Sequence, residues 1–199
     1  MILARVGHGF NVLDGGEKSV GPLRNGYARH GEAELYTWGA SNLFNVRMLT
    51  QGAIDGLIAE QDERPAQVWA GHSHCAYVMC EAYKALPEHI TPPKGLVLIQ
   101  PAMQVDYPLP DLPIVVRYNR GDWATWWGKR WRRLNPVSWL KRHPWGAAGT
   151  YGFDAPHGKV LQVDTDSPRH GEHRIKGHSA HGGHGDYWAT YDLRRLGLA

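Results

Sequence analysis

Residues 66–80 read AQVWAGHSHCAYVMC. Val68, Trp69 and Ala70 form an apolar run too short for a helix and stopped by Gly71, the pattern of a strand buried on both faces. Beyond it Cys75, Met79, Tyr83 and Leu86 recur at spacings of four, four and three, the stripe of an amphipathic helix. The chain therefore passes from strand to helix within residues 71–74, and Ser73 stands at that turn between two imidazoles, His72 and His74.

The same alternation continues on both sides. MILARVGHG (1–9) reads as a short buried strand ended by glycines, and the NVLDGGEKSVGPL that follows (11–23) reads as turn-rich loop. ELYTWGA (34–40) is a second, weaker strand, and NVRMLTQGAIDGLIAEQ (45–61) is helical, with Leu49, Ala53, Leu57 and Ile58 on one face. GLVLIQP (95–101) and LPIVVRYN (112–119) are the continuous apolar runs of buried parallel strands, and KVLQVD (159–164) is a late strand. The glycine- and histidine-rich C-terminal third reads as loop. Strands alternating with helices at about 30 residues per unit predict an α/β sheet, mostly parallel, with helices on both faces. At 199 residues and 42% apolar content the chain fills one core, so residues 1–199 are expected to form a single domain.

A glycine-flanked serine at a strand-to-helix turn has a chemical use. The tight bend strains the serine backbone and lifts its hydroxyl above the sheet, while the next N–H points at a developing oxyanion. Gly71 and Ser73 match this pattern, and Cys75 stands where a second glycine is usual, being small enough to let helix and strand approach. Acyl-transfer chemistry on such a turn needs an acid and then a histidine later in the chain, and a second N–H donor from an early loop. VGHGFN (6–11) supplies the loop. VVRYNRGDW (115–123) supplies Asp122 just past an apolar strand, and GHGDYW (183–188) supplies His184. Asp106, in QPAMQVDYP (100–108), also follows a strand and is the alternative acid; Asp122 is preferred because Gly-Asp at a strand end is the commoner position. His178 and His181 are the alternative bases.

Six stretches together carry a resemblance: HGFNVLDGG (8–16), VWAGHSHCAYV (68–78), GLVLIQPAM (95–103), YNRGD (118–122), WGAAGTYGF (145–153) and HGDYW (184–188). The chain resembles the small α/β-hydrolases of bacteriophages and prophages and, more distantly, cutinases and lipases. The resemblance implies an α/β-hydrolase-like fold and a serine hydrolase acting on an ester with an apolar acyl or alkyl part, without a cofactor. It makes Ser73 the nucleophile, Asp122 the orienting acid and His184 the general base. The oxyanion would be held by the backbone N–H groups of Phe10 and His74, with Asn11 the alternative to Phe10. This chain departs from the usual elbow in carrying His74 after the serine and Cys75 in place of the glycine.

Two features lie outside that pattern. Residues 117–143 hold eight basic residues against the single acid Asp122, and residues 122–145 hold six of the nine tryptophans, although the whole chain carries only +3. Trp123, Trp126, Trp127 and Trp131 beside Lys129, Arg130, Arg132 and Arg133 fit a core segment with a charged rim. They also fit a basic amphipathic helix on a membrane surface and, less well, a single-stranded nucleic acid site. Because this segment follows Asp122, Trp126 and Trp127 are expected to wall the substrate entrance. The second function class is therefore a non-catalytic hydrolase-like fold that binds a membrane or nucleic acid through 117–143. His170, His173, His178, His181 and His184 recur at spacings that zinc could use, but no cysteine accompanies them and glycines interrupt any helix that would align them, so no metal is expected. Cys75 and Cys80 stand five apart on one helix, where their side chains do not face each other, so no disulfide framework is expected. No run of about 18 apolar residues and no signal-like N-terminus is present, and the expected location is the cytoplasm, a host's if the gene is a phage's.

Overall fold

In a computed structural model, the described residues are 1–9, 16–38, 46–126 and 145–199. Six strands form one sheet: β1 (Ile2–Gly7), β2 (Gly31–Tyr36), β3 (Val68–His72), β4 (Gly95–Ile99), β5 (Ile114–Tyr118) and β6 (Val160–Asp164). The helices among the described residues are α1 (Glu17–Ala28), α2 (Val46–Glu63), α3 (His74–Lys84), the one-turn α4 (Ala148–Tyr151) and α5 (Gly185–Arg195), with a 3-10 segment at Pro168–His173. All neighbouring strands are parallel, in the order β2-β1-β3-β4-β5-β6. The chain builds outward from β1 to β2, crosses back, and then runs from β3 to β6. The order reverses where β1 and β3 lie side by side, with Gly7 opposite Gly71 in register. In an open parallel sheet that reversal leaves a crevice at the C-terminal strand ends, where ligands bind.

Alternation along each strand assigns the two faces. Ala4 and Val6, Val68 and Ala70, Val97 and Ile99, and Val115 face α1 and α5, meeting Val20, Leu23, Tyr27, Trp188, Ala189 and Leu193. Leu3, Trp69, Leu96, Leu98, Ile114 and Val116 face the other way, toward Ile54 and Leu57 of α2 and Cys75 and Met79 of α3. The short apolar runs read as strands are thus strands buried on both faces.

Two helices were not legible in the sequence. The stretch read as turn-rich loop contains the start of α1, which runs through Pro22. Burial of Val20, Leu23 and Tyr27 on the sheet outweighs one lost helix hydrogen bond. The C-terminal third read as loop ends in α5, whose buried face includes Asp192 in the middle of its apolar stripe. The acid broke the periodicity; its partners, Tyr27 and Arg117, come from α1 and β5.

Candidate active site

The turn between β3 and α3 has the geometry its sequence predicts. Ser73 lies at φ 57° and ψ −121°, a backbone region that residues with a side chain occupy only under constraint and that clusters at functional sites. Its N–H donates to the Ile99 carbonyl at 2.9 Å, and its own carbonyl accepts from Ala102 at 3.2 Å, so β4 and the segment after it fix the turn from one side. α3 begins at His74, placing that residue's backbone N–H at the positive end of an eleven-residue helix. The loop after β1 presses on the turn from the other side: a Cβ on Gly9 would stand 2.7 Å from His74 N and 2.9 Å from Ser73 Cβ. Phe10 and Asn11, the expected partners of His74 in an oxyanion hole, lie outside the described residues.

Cys75 fits because of a glycine on β1. A Cβ on Gly7 would meet Cys75 Sγ at 2.4 Å, so the sulfur occupies the volume that a side chain at position 7 would need. The close helix–strand contact that an elbow glycine normally allows is made here with the missing side chain on the strand. Burial pushes the Cys75 thiol well above its ordinary range, so it serves as packing and not as a second nucleophile.

Asp122 follows β5 in a turn built by Asn119: Asp122 N donates to Asn119 O at 2.9 Å, and Gly121 N donates to Asn119 Oδ1 at 2.7 Å. The Asp122 carboxylate is buried, and its Oδ1 accepts from Ala124 N at 3.0 Å and Thr125 N at 3.2 Å. The same oxygen lies 3.0 Å from His178 Nδ1. Among the described residues Oδ2 has no hydrogen-bond partner.

The histidine beside the acid is thus His178, the alternative base, and not His184. His184 stands at the N-cap position of α5 without a side-chain capping bond and packs its ring edge-on against His173 at 4.8 Å. His178 lies instead in the loop that crosses the strand ends, with its Nδ1 on Asp122. His181 is in the same loop, with its Nδ1 accepting from Gly183 N, and burial lowers its basicity. Asp106 is exposed on the β4–β5 connection, lining a separate cavity of about 310 Å³ with Phe153 and Asp154. Trp126 is partly exposed one turn beyond Asp122, at the same end of the sheet as Ser73; Trp127 lies outside the described residues.

Further buried side chains surround the elbow and the loop that carries His178. His72, directly before Ser73, is buried with its ring 4.6 Å from that of His178 and stacked on His8 at 5.5 Å, and His8 in turn bonds Ser19 Oγ at 2.8 Å. Burial, with the nearby imidazoles of His178 and His8, holds His72 well below its ordinary pKa and keeps it neutral. His74 is buried too: Trp145 Nε1 donates to its Nδ1 at 3.0 Å, which puts the ring proton on Nε2, and Nε2 donates to Thr50 Oγ1 at 3.0 Å. The His74 ring therefore ties α2, α3 and the 145 segment together, with Trp38 and Tyr77 packed around it. Arg117 and Asp192 form a fully buried ion pair at 3.7 Å, and Arg117 also donates to Ala180 O at 3.0 Å. The Asp192 carboxyl is pushed up to about 6 by burial, against the pull of Arg117 and of the Tyr27 hydroxyl. Arg117 accordingly drops out of the basic surface counted over 117–143.

The fold is that of the α/β-hydrolases. Solved structures that superpose on nearly the whole chain include a Xanthomonas campestris pv. campestris protein assigned to the α/β-hydrolase superfamily, at 17% identity and TM-score 0.57 over 99% of this chain and 98% of that one. Another is an esterase domain from a Rhodothermus marinus protein, at 12% identity and TM-score 0.53 over 98% and 88% of the two chains. A third is a Silicibacter sp. TM1040 protein assigned as a thioesterase, at 14% identity and TM-score 0.57 over 98% and 74%. No protein-family model matches the chain, and no curated protein sequence does. These neighbours bear out the fold that the resemblance implies and give no support to its phage and prophage part.

Proposed function

We propose that the protein is a serine hydrolase that cleaves esters through Ser73, His178 and Asp122. The observation that carries this reading is the buried Asp122–His178 pair, 3.0 Å apart, held at the strand ends where Ser73 sits on its strained turn. Asp122 accepts the Nδ1–H of His178, which leaves the Nε2 lone pair free to act as base. His178 takes the Ser73 proton as Oγ attacks the ester carbonyl, and then returns it to the departing alkoxide. The uncompensated Oδ2 of Asp122 favours the imidazolium that exists between those two steps. The His74 N–H, at the head of α3, stabilises the tetrahedral oxyanion. Water then repeats the sequence on the acyl-enzyme.

The substrate class follows from the surroundings. Trp38, Tyr77 and Trp145 surround the His74 ring beside the elbow, an aromatic wall suited to an apolar acyl or alkyl group. Two of the structural neighbours are an esterase domain and a protein assigned as a thioesterase, which agrees with acyl transfer in this class. Trp126 serves in this reading as a wall of the entrance.

Fluorophosphonate labelling with an acyl-length series of p-nitrophenyl esters tests the proposal. Wild type should label at Ser73 and turn over at least one short or medium ester. Ser73→Ala and His178→Ala should each lose on the order of 10⁴-fold in kcat, with no further loss when combined. His184→Ala should stay within about threefold of wild type. A wild-type protein that neither labels nor hydrolyses any ester, or a His178→Ala variant with full turnover, would overturn it.

A further inference from the structure

Gln100 follows β4 and is fully buried, with φ at +43°. Glycine adopts this conformation freely, but a residue with a long side chain is held in it only by its surroundings. Its backbone N–H is held by the Arg117 carbonyl at 2.6 Å, and its side chain is directed into the loop that carries His178. There Gln100 Oε1 accepts from Ser179 N at 2.8 Å, and Gln100 Nε2 donates to Gly177 O at 2.8 Å. Residues 177 and 179 are the immediate neighbours of His178, so one carboxamide grips the chain on both sides of the imidazole. Asn119, which also builds the turn presenting Asp122, donates to Gly177 O at 3.1 Å and to Ile175 O at 2.6 Å.

The chemistry requires an amide at this position. The carboxamide offers one acceptor and one donor in a fixed plane, matching an N–H and a C=O separated by one residue. A methyl or thioether of equal length offers neither. Gly177 sits at φ +70°, where the loop bends, so without the grip the peptide planes around His178 can rotate and carry the ring away from Asp122.

We infer that Gln100 is a positioning residue for the base of the reaction: its carboxamide fixes the peptides on both sides of His178 and so sets the His178–Asp122 hydrogen bond. The inference rests on the role proposed for His178, but its geometry can be read without turnover. Gln100→Met keeps length and removes donor and acceptor; Gln100→Glu keeps an acceptor for Ser179 N. For each, two quantities are measured at 25 °C: the downfield proton resonance of His178 Nδ1–H, assigned by its absence in His178→Ala, and kcat and KM on the best p-nitrophenyl ester. Gln100→Met should lose or broaden that resonance and lower kcat about 10–100-fold with KM within threefold, since misplacing a reacting group by about 1 Å costs on that order. Gln100→Glu, which sets a carboxylate oxygen against the Gly177 carbonyl, should lose the resonance and lower kcat at least as far as Gln100→Met.

A Gln100→Met protein with the wild-type resonance and a kcat within twofold of wild type would overturn the inference. So would an effect confined to KM, or failure of both variants to fold, which would make Gln100 a structural residue only. If wild type shows the resonance but no Ser73-dependent turnover, and Gln100→Met loses the resonance, the hydrolase reading fails while the positioning of His178 stands.

Discussion

Adding one methyl group at Gly7 is the sharpest test of how this elbow is packed. Gly7 is the last residue of β1, flanked by β2 and β3, so its backbone cannot shift without disturbing the sheet. A Cβ there would lie 2.4 Å from Cys75 Sγ, 3.3 Å from Met79 Cε and 3.4 Å from Tyr36 Cδ1. Non-bonded heavy atoms settle at about 3.5–4.0 Å, so the sulfur contact is short by more than ~1 Å. Cys75 is in the first turn of α3 and has no open space to enter. Overpacking of this kind costs about 1–3 kcal/mol, or about 2–12 °C in melting temperature for a domain of this size. Cys75→Gly alone leaves a hole of one side chain and should also destabilise, by about 1–3 kcal/mol, while leaving the turn able to form.

The double variant puts the methyl where the sulfur was and moves the glycine to the helix. Its loss should fall short of the sum of the two single losses by about 2 kcal/mol or more, a coupling expected of residues that compete for one volume. Urea denaturation followed by tryptophan fluorescence measures all four corners of the cycle. Because Cys75 is two residues from Ser73, Gly7→Ala should also slow fluorophosphonate labelling well below its melting point, and the double variant should recover it. A Gly7→Ala protein within 0.5 kcal/mol of wild type, or additive losses, would refute the reasoning.

The buried ion pair gives another measurable cost: Arg117→Met strands the Asp192 carboxylate and should destabilise by about 3–5 kcal/mol in urea, with part of the loss recovered by Asp192→Asn in the same chain. An Arg117→Met loss below about 1 kcal/mol would mean that Tyr27 alone satisfies Asp192. His72 sets a pH dependence. Its folded pKa is depressed, so below about 6.5 the unfolded chain binds the extra proton and stability falls with falling pH, whereas above 6.5 this contribution is level. The raised carboxyl of Asp192 acts oppositely, favouring the folded state as pH falls from about 6 toward 4. Melting temperature against pH should therefore fall less steeply below 6.5 in His72→Phe than in wild type; parallel curves would show that His72 is not held neutral. EDTA should leave ester turnover unchanged, and a loss restored by zinc would move the centre to the histidines at 170, 173 and 184. Vesicles of anionic lipid should retain the protein at low salt if the tryptophan-rich segment contacts a membrane, and its recovery in the supernatant would leave that segment only a pocket or core role.

Local patterning was enough for the sheet and the elbow. Apolar runs such as GLVLI and IVVRY carry their burial in their composition, and the Gly-His-Ser turn between a run and a helical stripe has one conformation that satisfies both neighbours. The place of Asp122 was legible in the same way, just beyond a strand end in a turn that Asn119, three residues earlier, builds; its role as the acid is part of the proposal. The histidine was not, because five imidazoles lie within fifteen residues and sequence spacing does not say which of them the loop carries over the strand ends. That choice is made by side chains far away in the chain: Gln100, Asn119 and Arg117 hold the carbonyls and N–H groups of residues 175–180 and deliver His178, not His184, to Asp122. Likewise α5 hid behind Asp192, an acid that is tolerable in a core only when Arg117 and Tyr27 arrive to meet it. Periodicity reports which residues seek burial, whereas the pairing of buried polar groups depends on three-dimensional neighbours that only the folded chain supplies.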